Sequence, residues 1–112
     1  MKLSEQGALL RIFVGEADKH QGKPLYQHIV LNAREIGLAG ATVTRGIMGY
    51  GAASRIQTSK LLRLSEDLPI VVEIVDTEAN IERLLPFLDD VVDEGLVTIK
   101  KAQVLVYRHT NS

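Results

Sequence analysis

Three glycines crowd into six residues at Gly46-Ile47-Met48-Gly49-Tyr50-Gly51, and Arg45 stands immediately before them. Glycines let backbone N–H groups turn toward an anion and let a phosphate come close. A guanidinium adds a fork of charged donors. The spacing is GxxGxG. It is neither the GxGxxG of dinucleotide sites nor the GxxxxGK[ST] of the phosphate loop, and no helix start follows it. On spacing alone a flexible bend between strands is preferred to a phosphate cradle.

Other reactive side chains are scattered. His20, His28 and His109 lie in different predicted elements and none is paired at helical spacing, so metal ligation is disfavoured. Ser54, Thr58 and Ser59 have no base nearby in sequence and read as loop polarity. Asp89, Asp90, Asp93 and Glu94 gather at the end of a predicted helix and read as a solvated face. Glu73 interrupts an apolar strand. A carboxylate there needs a partner, and a salt bridge to an arginine such as Arg11 is the expected outcome.

The elements that hold these residues follow from periodicity. Leu10, Ile12 and Val14 alternate with Arg11 and Phe13, which predicts a half-buried strand over Leu9 to Glu16. Leu25, Ile29, Ala33 and Ile36 recur at helical spacing after Pro24, and Gly37 follows them. A helix over 24–36 is predicted. Ala41 to Ile47 is β-branched and reads as a second strand. The stretch from Ala52 to Asp67 lacks a strand period and reads as a long loop, a length that is usually functional in a compact domain.

Ile70 to Val75 is the most apolar run and reads as a central strand covered on both faces. Asp76-Thr77 can cap a second helix, whose stripe is Ile81, Leu84, Leu85, Leu88, Val91 and Val92. Pro86 predicts a kink within that one helix. Leu96 to Ile99 and Val104 to Tyr107 read as two short strands separated by Lys100-Lys101. The order β-α-β-β-α-β is the split βαβ arrangement of a ferredoxin-like α+β sandwich. It forms a single domain over 1–112, with a core at about 9–108 and a flexible tail at 109–112.

Composition narrows the function. The chain has 112 residues, a net charge of −1, 4% aromatic residues and no cysteine. There is no basic face and little material for base stacking, so nucleic acid is not the expected partner. Thiolate chemistry and cysteine metal sites are excluded. No apolar run is long enough to insert in a membrane, and a cytoplasmic location is the default.

Several segments together resemble a known family. They are Gly40-Ala41-Thr42-Val43-Thr44-Arg45-Gly46 with Gly49-Tyr50-Gly51, the run Leu61 to Pro69, Glu73-Ile74-Val75-Asp76, and Glu94-Gly95-Leu96-Val97. From Leu9 to Arg108 the chain resembles the PII-like proteins called domain-of-unknown-function 190. The resemblance implies a homotrimer and a non-catalytic signalling role. A small anionic effector, an adenine nucleotide, would sit between subunits. A long loop between strands two and three, the T-loop, would dock on a membrane channel or transporter.

The resemblance also assigns residues. Thr42 falls beside the adenine, and Gly49, Tyr50 and Gly51 at the base of the T-loop. Val75 falls where backbone reads the base, Gly95 on the last glycine of a phosphate loop, and Arg108 on a C-terminal arginine. Arg45, Gly46, Leu96 and Val97 complete the expected nucleotide set, and Arg55, Gln57, Lys60 and Arg63 the partner-binding loop. Leu96 replaces a phosphate-binding lysine of the wider superfamily and Val106 replaces an arginine. Each charge-assisted hydrogen bond lost costs about 1.5–3 kcal/mol, so AMP or ADP is expected over ATP. The pocket should form where amides of Gly46–Gly51 meet the Gly95 turn across a subunit boundary. The alternatives are a divalent-metal-binding trimer and a small nucleotide-hydrolysing enzyme using Glu73 or His28.

Overall fold

A computed structural model describes residues 6–50, 57–58 and 68–108. In chain order the elements are β1 (Gln6–Gly15), β2 (Lys19–His20), β3 (Lys23–Pro24), α1 (Leu25–Glu35), β4 (Thr42–Arg45), β5 (Met48–Gly49), β6 (Gln57–Thr58), β7 (Pro69–Asp76), α2 (Glu78–Glu82), α3 (Leu85–Val91) and β8 (Leu96–Gln103). One antiparallel sheet carries the fold, in the order β4-β7-β1-β8. The expected ferredoxin-like arrangement is therefore present.

Strict alternation in β1 and β7 decides which face the helices cover. Leu10, Ile12, Val14, Ile70, Val72 and Ile74 all face the helices and are nearly fully buried. They meet Leu25, Ile29 and Ala33 of α1 and Ile81, Leu84, Leu88 and Val91 of α2–α3 in one core. The four-residue recurrence in α1 supplies its apolar stripe. Pro24, the predicted first residue, stands instead at the N-cap, one residue before the observed start at Leu25, and Gly37 has a φ of 89° just after the helix. That left-handed conformation is where a glycine ends a helix at least cost.

Four expectations are corrected. The run Ile70–Val75 is not covered on both faces: within the chain only alternate residues of β7 are buried. The second helix is not one kinked rod. It breaks at Arg83-Leu84 into α2 and α3, with Pro86 in the first turn of α3. Pro86 has no N–H to donate to the preceding turn, and a restart places that gap where no bond is needed. Tight bonds from Arg83 N to Asn80 O and from Leu84 N to Ile81 O keep the stripe in phase.

The third correction concerns the C-terminal strands. β8 runs unbroken through Lys100-Lys101, while Val104 to Arg108 is not a strand. β8 is an edge strand, where lysines remain solvated and discourage unwanted pairing. The fourth concerns the glycine-rich stretch, which reads as a flexible bend but carries regular pairing. Met48–Gly49 pairs with Gln57–Thr58 as a short antiparallel ribbon at the base of the long connection.

Candidate functional site

The glycines at the base of that connection are there for space. Neither Gly46 nor Gly49 has a positive φ. A Cβ at either position would lie 2.9 Å from Cγ of Pro69, closer than real side chains come. The Gly46 amide donates to the Pro69 carbonyl at 2.7 Å, so it is committed within the chain. Beyond them Ile47, Met48 and Tyr50 stand 76%, 62% and 71% exposed.

Gly95 is required for the same reason at the opposite edge. A Cβ there would come within 2.5 Å of the Phe13 carbonyl oxygen, and its φ of 156° disfavours a side chain as well. Leu96, paired with Phe13, and Val97, paired with Ile12, follow on β8 and are exposed. The Gly46 turn and the Gly95 turn thus lie at the same end of the sheet but on different edges, β4 and β8, with β7 and β1 between them. Three inter-strand spacings amount to about 14 Å. A single chain does not bring the two turns together.

The remaining candidates gather toward the other end. Thr42 is paired with Glu73 and exposed, and Val75 lies near the end of β7 with 38% of its surface open. Arg108 is exposed in the segment after β8. Tyr107, its neighbour, donates its hydroxyl to the Ala39 carbonyl at 3.3 Å, which ties that segment to the chain leading into β4. Gln57 pairs with Gly49 in the ribbon. Gly51, Arg55, Lys60 and Arg63 lie outside the described residues, as does His109.

Two of the charged candidates, Arg45 and Glu73, are paired. Arg45 is held by Glu16 at 2.9 Å, so the guanidinium beside the glycine turn already has a carboxylate partner. Arg11 and Glu73 form the expected ion pair, Nε to Oε2 at 2.6 Å, on the open face of the sheet. A cavity of about 200 Å³ lies close to Gly95 and is lined by Asp18, Lys19, Leu25, Val91, Asp93 and Glu94. Three carboxylates against one ammonium make it hostile to a polyphosphate.

Two features escaped the sequence. His20 and His28 meet edge to face with centroids 5.0 Å apart, a contact between β2 and α1 that no spacing reveals. Among the described residues no group of three or more histidines and carboxylates is close enough to hold a metal ion. Asp76 is fully buried. It accepts from the Ala39 amide at 2.7 Å, the Thr77 amide at 2.7 Å and Asn80 Nδ2 at 2.9 Å. Its visible signal was only that of a helix start.

Residues 7–104 match the model of DUF190, a family described as an uncharacterized ACR. The chain is 43% identical over 99 residues to a UPF0166 protein of Aquifex aeolicus, covering 87% of this chain and 91% of that one. It is 40% identical over 97 residues to a UPF0166 protein of Methanocaldococcus jannaschii, covering 86% and 89%. Among solved structures it is similar to CPII, a nitrogen regulatory PII-like protein from Thiomonas intermedia K12 bound to ADP, AMP and bicarbonate. That likeness has a TM-score of 0.64 at 20% identity over 88% of each chain. At that identity it speaks for the fold, which is PII-like.

Proposed function

The chain belongs to the DUF190 family, and from that membership we propose that it is a PII-like regulatory protein binding an adenine nucleotide between copies of itself. AMP or ADP is preferred over ATP. The nucleotide controls how the segment between β5 and β7 meets a partner, a membrane channel or transporter, in the cytoplasm.

One observation carries this reading. Two turns that each admit only glycine lie at one end of the sheet, on opposite edges. Each turn packs against its own sheet, on Pro69 or on the Phe13 carbonyl, and about 14 Å of sheet separates the two in one chain. A second copy that sets its β8 edge beside the β4 edge of the first makes one cleft of the two turns. The open face of the sheet supports association too. It presents Leu9, Phe13, Val71, Val75 and Leu96, apolar side chains that a trimer would remove from water.

The preference among nucleotides follows from charge. Arg45 is engaged by Glu16, Leu96 and Val106 supply no cation, and carboxylates dominate the cavity near Gly95. Each additional phosphate therefore gains little attraction. CPII holds ADP and AMP, which is in keeping with the ranking.

Titration calorimetry with AMP, ADP and ATP, on protein whose mass is first measured by native mass spectrometry, tests both parts. A trimer that takes AMP or ADP more tightly than ATP is expected. Tightest binding of ATP overturns the ranking. A monomer, or the absence of heat with all three nucleotides, overturns the reading.

A further inference from the structure

A buried carboxylate is retained only where donors replace the water it has lost. Asp76 has three donors, and they divide between its two oxygens. Oδ1 takes the Thr77 amide and Asn80 Nδ2, both at the start of α2. Helix capping does not require more of Asp76, because the Thr77 hydroxyl already accepts from the Asn80 amide at 3.2 Å. Oδ2 leaves the helix and takes the Ala39 amide, 37 residues upstream.

Continuing the β4–β7 register from Thr42 opposite Glu73 by three residues places Ala39 opposite Asp76. At that row the side chain supplies the bond to Ala39. The Ala39 carbonyl is taken in turn by the Tyr107 hydroxyl. Both backbone groups of one residue are therefore gripped, by β7 on one side and by the C-terminal segment on the other. The grips are unequal in length: both are part-buried, but the first is 2.7 Å and the second 3.3 Å. Gly40, next in the chain, is exposed, and a Cβ built on it meets nothing within 4 Å.

Three candidate nucleotide contacts radiate from this point. Val75 adjoins Asp76, Thr42 lies three residues after Ala39, and Arg108 adjoins Tyr107. Among the described residues Arg108 has no ion-pair partner. We infer that Asp76, Ala39 and Tyr107 form a clasp that sets Thr42, Val75 and Arg108 in one geometry for the nucleotide, with Asp76 and Tyr107 as positioning residues. This rests on the nucleotide reading given above. Asp76 fixes the approach to β4 by the shorter of the two bonds. Tyr107 holds the C-terminal arm by a bond weak enough to release.

The test is a double-mutant cycle read by calorimetry with AMP. Tyr107→Phe removes only the hydroxyl and should weaken AMP about fivefold, the effect of one neutral hydrogen bond, without moving the thermal midpoint. Arg108→Ala should cost about tenfold or more. If Tyr107 acts by placing Arg108, the double variant binds about as weakly as Arg108→Ala alone. A Tyr107 that merely stabilises the chain would give losses that multiply, and that result overturns the inference.

Unchanged AMP affinity in Tyr107→Phe overturns it as well. Asp76→Asn sets an amide donor against a donor in the core, so its fold is checked first by circular dichroism. If folded, it should show faster hydrogen exchange at Ala39 together with weaker AMP binding. Slow exchange with full affinity would remove Asp76 from the clasp. Tyr107→Phe decides the matter even if Asp76→Asn does not fold. Wild-type protein that fails to bind AMP is recognised before any variant is titrated, and it defeats the nucleotide reading and the clasp together.

Discussion

Ile12 and Phe13 are neighbours in β1, point to opposite faces of the sheet and meet different surroundings. Ile12 pairs with Val72 and Val97 beneath the helices and is fully buried. Phe13 pairs with Val71 and Leu96 on the other face, where it is half-buried and Leu96 is 55% exposed. On the covered face the two central strands are buried within one chain, while Val43, Val97 and Ile99 on the edge strands stay 37%, 36% and 45% exposed. The open face carries comparable apolar material and one ion pair, and no helix among the described residues covers it. The difference separates residues that specify the fold from residues available for assembly.

The largest effect should come from the covered face. Ile12→Ala removes a buried branched side chain from the middle of the core and should cost about 2–5 kcal/mol in chemical denaturation. That is a large share of the stability of a small domain, typically about 5–15 kcal/mol. The loss should be the same at every protein concentration. A cost below about 1 kcal/mol would mean that this face is not the one holding the chain together.

The same contrast explains how much was legible beforehand. Alternation at Leu10, Ile12 and Val14, and the stripe Leu25-Ile29-Ala33, placed the covered face correctly because solvent and helix leave opposite marks on successive residues. The run Ile70–Val75 misled. Apolar residues on both sides of a strand announce that both sides meet something, not whether the second cover is the same chain or another copy.

Pro86 misled in a smaller way, since an unbroken stripe is compatible with either a kink or a restart. On sequence alone Gly46 and Gly49 signal backbone freedom. Their role in the fold is to make room for Pro69, some twenty residues onward, which no local pattern encodes. The predicted pairing of Glu73 with Arg11 was recoverable because a charge in an apolar strand demands a partner. The role of Asp76 was not, because a strand-end Asp before Thr looks like an ordinary helix start.

A smaller effect on the chain, with a large effect on assembly, is expected from Phe13→Asp. Phe13 is already half open, so the isolated chain loses about 1–2 kcal/mol at most of burial. A charge at the centre of the open face should prevent other copies from covering it, because an unpaired carboxylate is costly to desolvate. Light scattering should report a monomer with native circular dichroism, and AMP binding should disappear with the clefts. A folded Phe13→Asp that remains associated would show that copies meet elsewhere and would end the comparison in its present form.

The smallest effect belongs to the polar row Thr42–Glu73–Arg11–Thr98 that crosses the open face. The Arg11 and Glu73 side chains are 41% and 35% exposed, so in a dilute single chain the pair behaves as a surface ion pair. Such pairs contribute about 0–1 kcal/mol and weaken in salt. Glu73→Gln keeps the shape and an oxygen that can still accept from Arg11 Nε, so the change in a monomer should be at the low end of that range. Covering the face alters the account, because a guanidinium left without its carboxylate in a desolvated site costs about 3–5 kcal/mol. The variant should therefore unfold at nearly the wild-type urea midpoint at low protein concentration and fall progressively behind it as concentration rises. A small deficit that stays constant across concentrations would mean that Arg11 and Glu73 remain in water in the assembled protein, and that the open face is not where copies meet.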